Sequence, residues 1–308
     1  MNLPGFLQSG FATVVFALGV AGFSATASYA REGFEQGTLA YHLSTNAAAR
    51  ASNYAGNYDS MKELSGWGYA EYKKTNLDHL TNSVWATNFW LHGARGLSAT
   101  AIGFSNGLGG QGLITMVSPR HYLFSTHMHP EGYRVAFLDT NNVIYWRKTL
   151  ERTDVANDTS VGILDADLPA SVGYLPVLPT NFSSYLPTDD VSTVQGIGMN
   201  QDMAIFSQPM NFGNSTYVRW SNLRAAPMGV GTNWNVAIRA GDSSDPEMLL
   251  IGHQLVLVSH NYGINAGPNY AGQISAINEA MHSLSKNNHV RSDYRLTEIP
   301  LKDWAKVR

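Results

Sequence analysis

The turn segment AGDSSDP contains a serine, Ser243, between two aspartates, and an apolar segment follows it. A serine hydroxyl in a tight turn can attack a carbonyl carbon when a nearby base removes its proton. Small polar residues followed by a proline are equally typical of an ordinary turn between two strands. Ser243 is therefore a candidate nucleophile only if the chain also supplies a base and a group that orients the base.

The segment SPRHYLFSTHMHP is the best source of such a base, because His127 and His129 follow an apolar run. Residues two apart in an extended chain point to the same side, so the pair could also bind a metal ion. A metal site would need a third ligand, and no other residue has convincing spacing. Exposed surface histidines are the remaining alternative. We favour a general base and expect no metal and no cofactor.

The segment NDTSVGILDADLP places Asp158 directly before another apolar run. A carboxylate in this position can accept a hydrogen bond from an imidazole and hold its tautomer during proton transfer. Asp158 could instead cap a turn, which is the interpretation that we give to Asp154, Asp165 and Asp167. The chemistry of Asp158 thus depends on whether the fold brings it to a histidine.

Composition indicates a folded, nearly neutral protein. The 308 residues are 44% hydrophobic and only 14% charged, with a formal net charge of −3, so we expect no nucleic-acid partner. The chain has no cysteine, which excludes thiol catalysis and disulfides. The core alone must therefore stabilise the fold.

The N-terminus predicts export. The apolar segment from Phe11 to Phe23 is shorter than the roughly 20 residues of a membrane span, and small residues follow it up to Ala30. We interpret residues 1–30 as a signal peptide of a secreted or periplasmic protein with no membrane span in the mature chain. The leading MNLPGFLQSG lacks the usual basic residue, so a membrane anchor and a buried helix remain alternatives.

The rest of the chain has the pattern of an all-β protein. Short apolar runs separated by Gly, Asn and Pro recur about every ten residues, which is typical of a sandwich or barrel. Residues 169–190 contain four prolines and read as a linker between two β halves. Residues 31–85 form an N-terminal extension or pro-region that is partly helical, with Leu39, Leu43 and Ala47 four apart. Ile274 and Ile277 begin a predicted C-terminal helix.

His127, Asp158 and Ser243 occur in that order, and the chain from about residue 90 to 285 resembles the trypsin-like (chymotrypsin-fold) serine proteases, particularly the bacterial type without disulfides. GLITMVSPRHYLFSTHMHP resembles the segment that ends in the family's TAAHC. DTSVGILD resembles DIALLKL, and AGDSSDP resembles GDSGGP. LVLVSHNYG resembles the strand that ends in VSWG, which places Ser259 beside the peptide-binding edge.

The resemblance implies two antiparallel β-barrels with the active site between them. The first barrel would span residues 86–168 and the second, with the C-terminal helix, residues 191–285. Residues 286–308 would form a tail. We expect a monomer that acts on a polypeptide.

The resemblance also implies the role of each residue. His127 would take the proton of Ser243, Asp158 would orient the imidazole, and the N–H groups of Gly241 and Ser243 would form an oxyanion hole. Ala237 falls where the family shapes its specificity pocket, which predicts a preference for apolar or small side chains.

The sequence departs from the family directly after the serine, where Ser244 and Asp245 replace two glycines. Serine is strained in a conformation that favours glycine. A carboxylate that points toward a developing oxyanion would also slow the reaction.

An exported serine endopeptidase is our main hypothesis. The alternatives are a catalytically impaired trypsin-fold binding module and an unrelated exported β protein with a structural or carbohydrate-binding role.

Overall fold

The structure is a computed structural model that describes residues 34–52, 83–87, 89–104, 113–200, 203, 205–213, 216–220, 241–263, 266–291 and 293–307. These residues contain twelve β-strands and two α-helices, which confirms the predicted all-β class. The predicted signal peptide, most of the 31–85 extension and Ala237 lie outside the described residues.

Six antiparallel strands form the first sheet in the order β1-β4-β5-β6-β3-β2. Backbone pairing between Thr100 and Thr115 connects the segment before β1 to β2, so the sheet curls into a half-barrel. The strands are β1 (Gly103–Phe104), β2 (Thr115–Met116), β3 (His121–Ser125), β4 (Arg134–Leu138), β5 (Ile144–Asp154) and β6 (Thr159–Leu164).

A second curled antiparallel sheet follows the segment 169–190 and has the order β11-β10-β7-β8-β9-β12. Close packing inside it requires glycine at residue 198, because a Cβ atom there would collide with the Phe206 ring. The strands are β7 (Val194–Met199), β8 (Ile205–Asn211), β9 (Tyr217–Trp220), β10 (Pro246–Ile251), β11 (Gln254–His260) and β12 (Ala266–Pro268).

Strands β10 and β11 are buried on both faces and connect the two halves. Met248 and Leu250 of β10 belong to a hydrophobic cluster that includes Phe124 of the first sheet. Leu249 and Ile251 point the other way, into the core of the second sheet. Because side chains alternate along a strand, a strand buried on both faces must be apolar throughout. The continuous run MLLI in β10 fits this requirement.

The N-terminal helix α1 (Leu39–Ser52) packs against β7 and β10. The Thr38 hydroxyl accepts a hydrogen bond of 3.2 Å from the Tyr41 backbone N–H and so caps the helix. Leu39, Leu43 and Ala47 are all buried, which confirms the predicted apolar face.

The C-terminal helix α2 (Ile274–Asn287) returns to the first sheet and packs on β5 and β6. Ile277 and Met281 are fully buried there. His121 of β3 lies beneath the helix, 2.9 Å from the Ser118 hydroxyl and 3.1 Å from the Ser285 hydroxyl. Burial lowers the pKa of His121 to about 4.

Neither described helix has the length and apolar character needed to cross a membrane.

The linker and the C-terminal tail lie together against the second sheet. Val177 of the linker pairs in parallel with Leu257 of β11 and with Glu298 of the tail. Leu301 of the tail is buried in the same hydrophobic cluster as α1. The linker and the tail therefore both pack on the half of the protein that the second sheet forms.

Glu247 is a carboxyl group inside the second sheet. It is 1% exposed, and neither of its oxygens has a hydrogen-bond partner among the residues that the structure describes. Burial raises the pKa of Glu247 to about 8. The folded protein therefore holds this side chain protonated at neutral pH.

Glu247→Gln should increase stability at pH 8 and leave it nearly unchanged at pH 5. The unfolded chain loses this proton near pH 4.5 and the folded chain near pH 8, so the free energy of unfolding falls as pH rises between these values. The slope is about 1.4 kcal/mol per pH unit, and glutamine removes it. Thermal unfolding at pH 5, 6, 7 and 8 measures the effect, with exposed Glu279→Gln as the control. Parallel curves for wild type and Glu247→Gln would contradict a buried, protonated Glu247.

Candidate active site

His127 and Asp158 form a direct pair at the end of the first sheet. The Nδ1 atom of His127 lies 2.7 Å from Oδ2 of Asp158, and the backbone N–H of His127 donates to Oδ1 at 3.1 Å. The side chain of His127 is 46% exposed and that of Asp158 is 19% exposed. The carboxylate therefore fixes the ring through Nδ1, and Nε2 has no hydrogen-bond partner among the described residues.

A tight turn between β5 and β6 positions Asp158. The backbone N–H of Thr159 donates to the Ala156 carbonyl at 2.9 Å, and φ is positive at both Asn157 (50°) and Asp158 (59°). This is the pattern of a type I′ hairpin turn. Asn and Asp are the non-glycine residues that adopt the left-handed conformation most easily. The local sequence Asn-Asp thus specifies the turn that presents the carboxylate.

Arg152 of β5 fixes the loop that carries His127. Its Nη1 atom donates to the carbonyls of Thr126 and Met128, both at 2.8 Å. Its Nε atom lies 2.9 Å from the Glu131 carboxylate, which holds the guanidinium in place. The backbone is therefore anchored on either side of His127.

The serine turn, which we define as residues 241–245, contacts the end of β3, two residues before His127. The Ser125 backbone N–H donates to the Ser244 hydroxyl oxygen at 2.7 Å. The Ser244 N–H donates to the Asn261 carbonyl at 2.7 Å, and the same carbonyl accepts from the Ser125 hydroxyl at 3.2 Å. The two sheets thus meet at a small, fully buried polar contact.

Ser243 is partly exposed at this turn. Among the described residues, its hydroxyl forms no hydrogen bond with His127, and the N–H groups of Gly241 and Ser243 have no acceptor. The structure thus brings the serine turn to the strand that leads to His127 but does not close a serine–histidine hydrogen bond. Such bonds are often long before substrate binds.

Asp245 is buried and belongs to the contact between the sheets. Its Oδ1 atom accepts a hydrogen bond of 3.1 Å from the backbone N–H of Leu113, which lies two residues before β2 of the first sheet. Asp242 is also buried, and its carbonyl accepts from the Asn261 side chain at 3.1 Å. At least one Asp245 oxygen is therefore used in joining the two halves.

Ser259 does not present its side chain to the surface. It is fully buried on β11, opposite Glu247 in the strand pairing, and its hydroxyl donates to the His260 carbonyl at 3.2 Å. Any contact of Ser259 with a substrate would therefore use its backbone. Close to the serine turn is a small pocket lined by Met199, Asn200, Phe206, Trp220, Asp242, Asp245, Pro246, Glu247 and Asn261.

His129, the other candidate of the first histidine segment, is 66% exposed and lies 4.0 Å from the Glu131 carboxylate. No group of three or more histidine, aspartate or glutamate side chains in the described part of the chain could hold a metal ion. Of the two histidines in this segment, His127 is therefore the one that the fold pairs closely with a carboxylate, that of Asp158.

Sequence patterns did not identify His260, although its ring contacts Asp158. Nε2 of His260 lies 3.1 Å from the Asp158 carbonyl oxygen, although the two residues are 102 positions apart in the chain. Arg152 and Asn261 were missed for the same reason. Their roles depend on backbone carbonyls, which no short sequence pattern specifies.

No protein-family model matches this chain, and no curated protein matches it significantly in sequence. The fold of two curled antiparallel half-barrels is compatible with the chymotrypsin-like fold. The geometry of the site therefore has to support any assignment of function.

Proposed function

We propose that this protein is an exported serine hydrolase of the trypsin-like type that cleaves polypeptides. The observation that carries the proposal is the His127–Asp158 pair, 2.7 Å apart, at the contact between a serine turn and the strand that leads to His127. A paired imidazole and carboxylate beside a candidate nucleophile is the arrangement that acyl transfer needs. The order of the three residues and the two curled sheets add support.

In the first step, the Ser243 oxygen would attack the carbonyl carbon of the scissile bond while Nε2 of His127 takes the hydroxyl proton. Asp158 accepts from Nδ1, so the ring keeps the tautomer in which Nε2 is a base. The positive charge that forms on the imidazole is stabilised by the carboxylate. Proton transfer of this kind contributes roughly 10²- to 10⁴-fold to rate.

The N–H groups of Gly241 and Ser243 are suited to the oxyanion because they have no acceptor among the described residues. His127 would then return its proton to the leaving amine, and an acyl-enzyme would form on Ser243. Water activated by the same ring would hydrolyse this ester. Each of these steps uses only side chains and backbone groups at the contact between the two sheets.

A catalytically impaired binding module is the second candidate function. The observation in its favour is that the Ser243 hydroxyl forms no hydrogen bond with His127 among the described residues, with Ser244 and Asp245 following it. The retained His127–Asp158 pair supports the hydrolase instead. The alternatives differ in whether Ser243 reacts as a nucleophile.

A fluorophosphonate probe should label the purified chain at Ser243. Ser243→Ala should abolish labelling, and His127→Ala should slow it by roughly 10² or more because the base is lost. Asp158→Asn should keep the shape of the pair yet slow labelling strongly, since an amide can stabilise the wrong tautomer. Mass spectrometry of the labelled peptide and time courses of labelling measure these effects.

His129→Ala is the matched control, because this exposed histidine lies two residues from His127 and should be dispensable. Labelling that persists in Ser243→Ala would overturn Ser243 as the nucleophile. A folded wild-type chain that the probe does not label would favour the binding module.

Ser244→Gly should destabilise the protein by about 1 kcal/mol and slow labelling. Glycine relieves the left-handed backbone (φ 72°), a gain of roughly 1 kcal/mol. It also leaves the buried Ser125 N–H without its acceptor, at a cost of roughly 1–3 kcal/mol. Thermal unfolding and the labelling rate report the balance.

His289→Gly is the control for backbone strain, because His289 has φ of 53°, is exposed, and accepts no side-chain hydrogen bond among the described residues. It should be neutral or stabilising. A Ser244→Gly variant that gains stability as His289→Gly does would show that the Ser125–Ser244 bond adds little.

A further inference from the structure

A buried polar chain lies behind Asp158 and originates in the second sheet. His260, at the end of β11, is 2% exposed, and Tyr270, in a short 3-10 turn after β12, is 1% exposed. Nε2 of His260 lies 3.1 Å from the Asp158 carbonyl oxygen, and Nδ1 of His260 contacts the Tyr270 hydroxyl. Nothing in the proton transfer described above uses these two side chains.

The direction of the hydrogen bonds follows from the partners. A carbonyl oxygen can only accept, so the His260 Nε2 atom must carry a hydrogen. Burial lowers the pKa of His260 to about 3, so the ring is neutral and has only one N–H group. Nδ1 must therefore accept, and the Tyr270 hydroxyl must donate to it. The Tyr270 hydroxyl therefore fixes the tautomer of the His260 ring, and that tautomer provides the N–H group that the Asp158 carbonyl accepts.

We propose that His260 and Tyr270 are positioning residues that hold the Asn157–Asp158 turn in the conformation that directs the Asp158 carboxylate at His127. The catalytic consequence rests on the proposed hydrolase function, whereas the contact itself does not. Neither residue touches the reacting atoms. Their effect passes through the Asp158 backbone.

Two successive residues of the turn, Asn157 and Asp158, have positive φ, and the contacts around them fix which way the turn points. The Asp158 carbonyl accepts from the Thr126 N–H at 2.9 Å as well as from His260. Both carboxylate oxygens are engaged with His127. The Asp158 backbone is thus held by His260 from the opposite sheet, and the Asp158 carboxylate is held by His127, the ring that it orients.

Tyr270 is itself fixed. Asn269 precedes the 3-10 turn, and its side-chain oxygen accepts from the Ala271 N–H at 3.1 Å. The His260 and Tyr270 rings pack with their centroids 5.6 Å apart. A phenylalanine at position 270 would keep this packing and remove only the hydroxyl donor, so Tyr270→Phe isolates the hydrogen bond.

The test combines nitrogen-15 NMR of the histidine rings with fluorophosphonate labelling of the full chain. Wild type should show His260 protonated on Nε2 and His127 protonated on Nδ1. In Tyr270→Phe, His260 should lose its preference for one tautomer and the His127 ring signals should shift toward a mixture. The labelling rate at saturating probe should fall about tenfold, with the half-saturating probe concentration unchanged.

His260→Gln supplies a rescue, because its amide nitrogen can donate to the Asp158 carbonyl and its oxygen can accept from Tyr270. It should label faster than His260→Leu, which has no donor. His260→Gln also serves as the second variant if Tyr270→Phe does not fold. Tyr185→Phe, in the hydrophobic core beside α1, is the control and should change neither the spectra nor the labelling rate.

Two results would overturn the proposal: a wild-type His260 protonated on Nδ1, or a folded Tyr270→Phe whose His127 signals and labelling rate both match wild type. Loss of labelling in wild type itself, with the His127 signals still shifting in Tyr270→Phe, gives a different conclusion. The positioning contact would then stand, and the hydrolase function would fail.

Discussion

Two consecutive residues at the end of β11, His260 and Asn261, contact both parts of the candidate site, which are the turn that carries Asp158 and the serine turn. The His260 ring contacts the Asp158 carbonyl, and the Asn261 carbonyl accepts from both Ser244 and Ser125. The end of β11 thus holds both the turn that carries the Asp158 carboxylate, in the first sheet, and the serine turn, in the second half of the protein. A shift of this strand would move the two parts together, because its polar groups are buried and an unpaired one costs roughly 1–3 kcal/mol.

The hydrophobic core explains why β11 can act in this way. β10 and β11 are buried on both faces, with alternate side chains in the cluster that reaches the first sheet and in the core of the second. Interiors this closely packed do not deform smoothly, so the register of the two strands is fixed by many apolar contacts. Because the register of β11 is fixed by this apolar packing, His260 and Asn261 at its end are held in place for their polar contacts.

The sequence was sufficient for those parts that depend on local pattern. Short apolar runs separated by Gly, Asn and Pro predicted the all-β class, the spacing of Leu39 and Leu43 predicted α1, and that of Ile274 and Ile277 predicted α2. The His127–Asp158 pairing was foreseen through a resemblance, not through periodicity. His260 could not be foreseen, because its role is a ring-to-carbonyl contact between positions 102 residues apart, which leaves no local pattern.

Left-handed backbone among non-glycine residues is concentrated where the two sheets meet. Six non-glycine residues in the described part of the chain have positive φ, and three of them, Asn157, Asp158 and Ser244, lie at the candidate site. Strained conformations persist only when surrounding contacts over-determine them. Asp158 and Ser244 are each held by hydrogen bonds that reach the opposite sheet. Asn157 and Asp158 adopt the left-handed conformation easily, as the central residues of a type I′ hairpin turn, whereas serine does not. The hydrogen bond from the Ser125 N–H to the Ser244 hydroxyl is therefore the contact that offsets backbone strain where the two sheets meet.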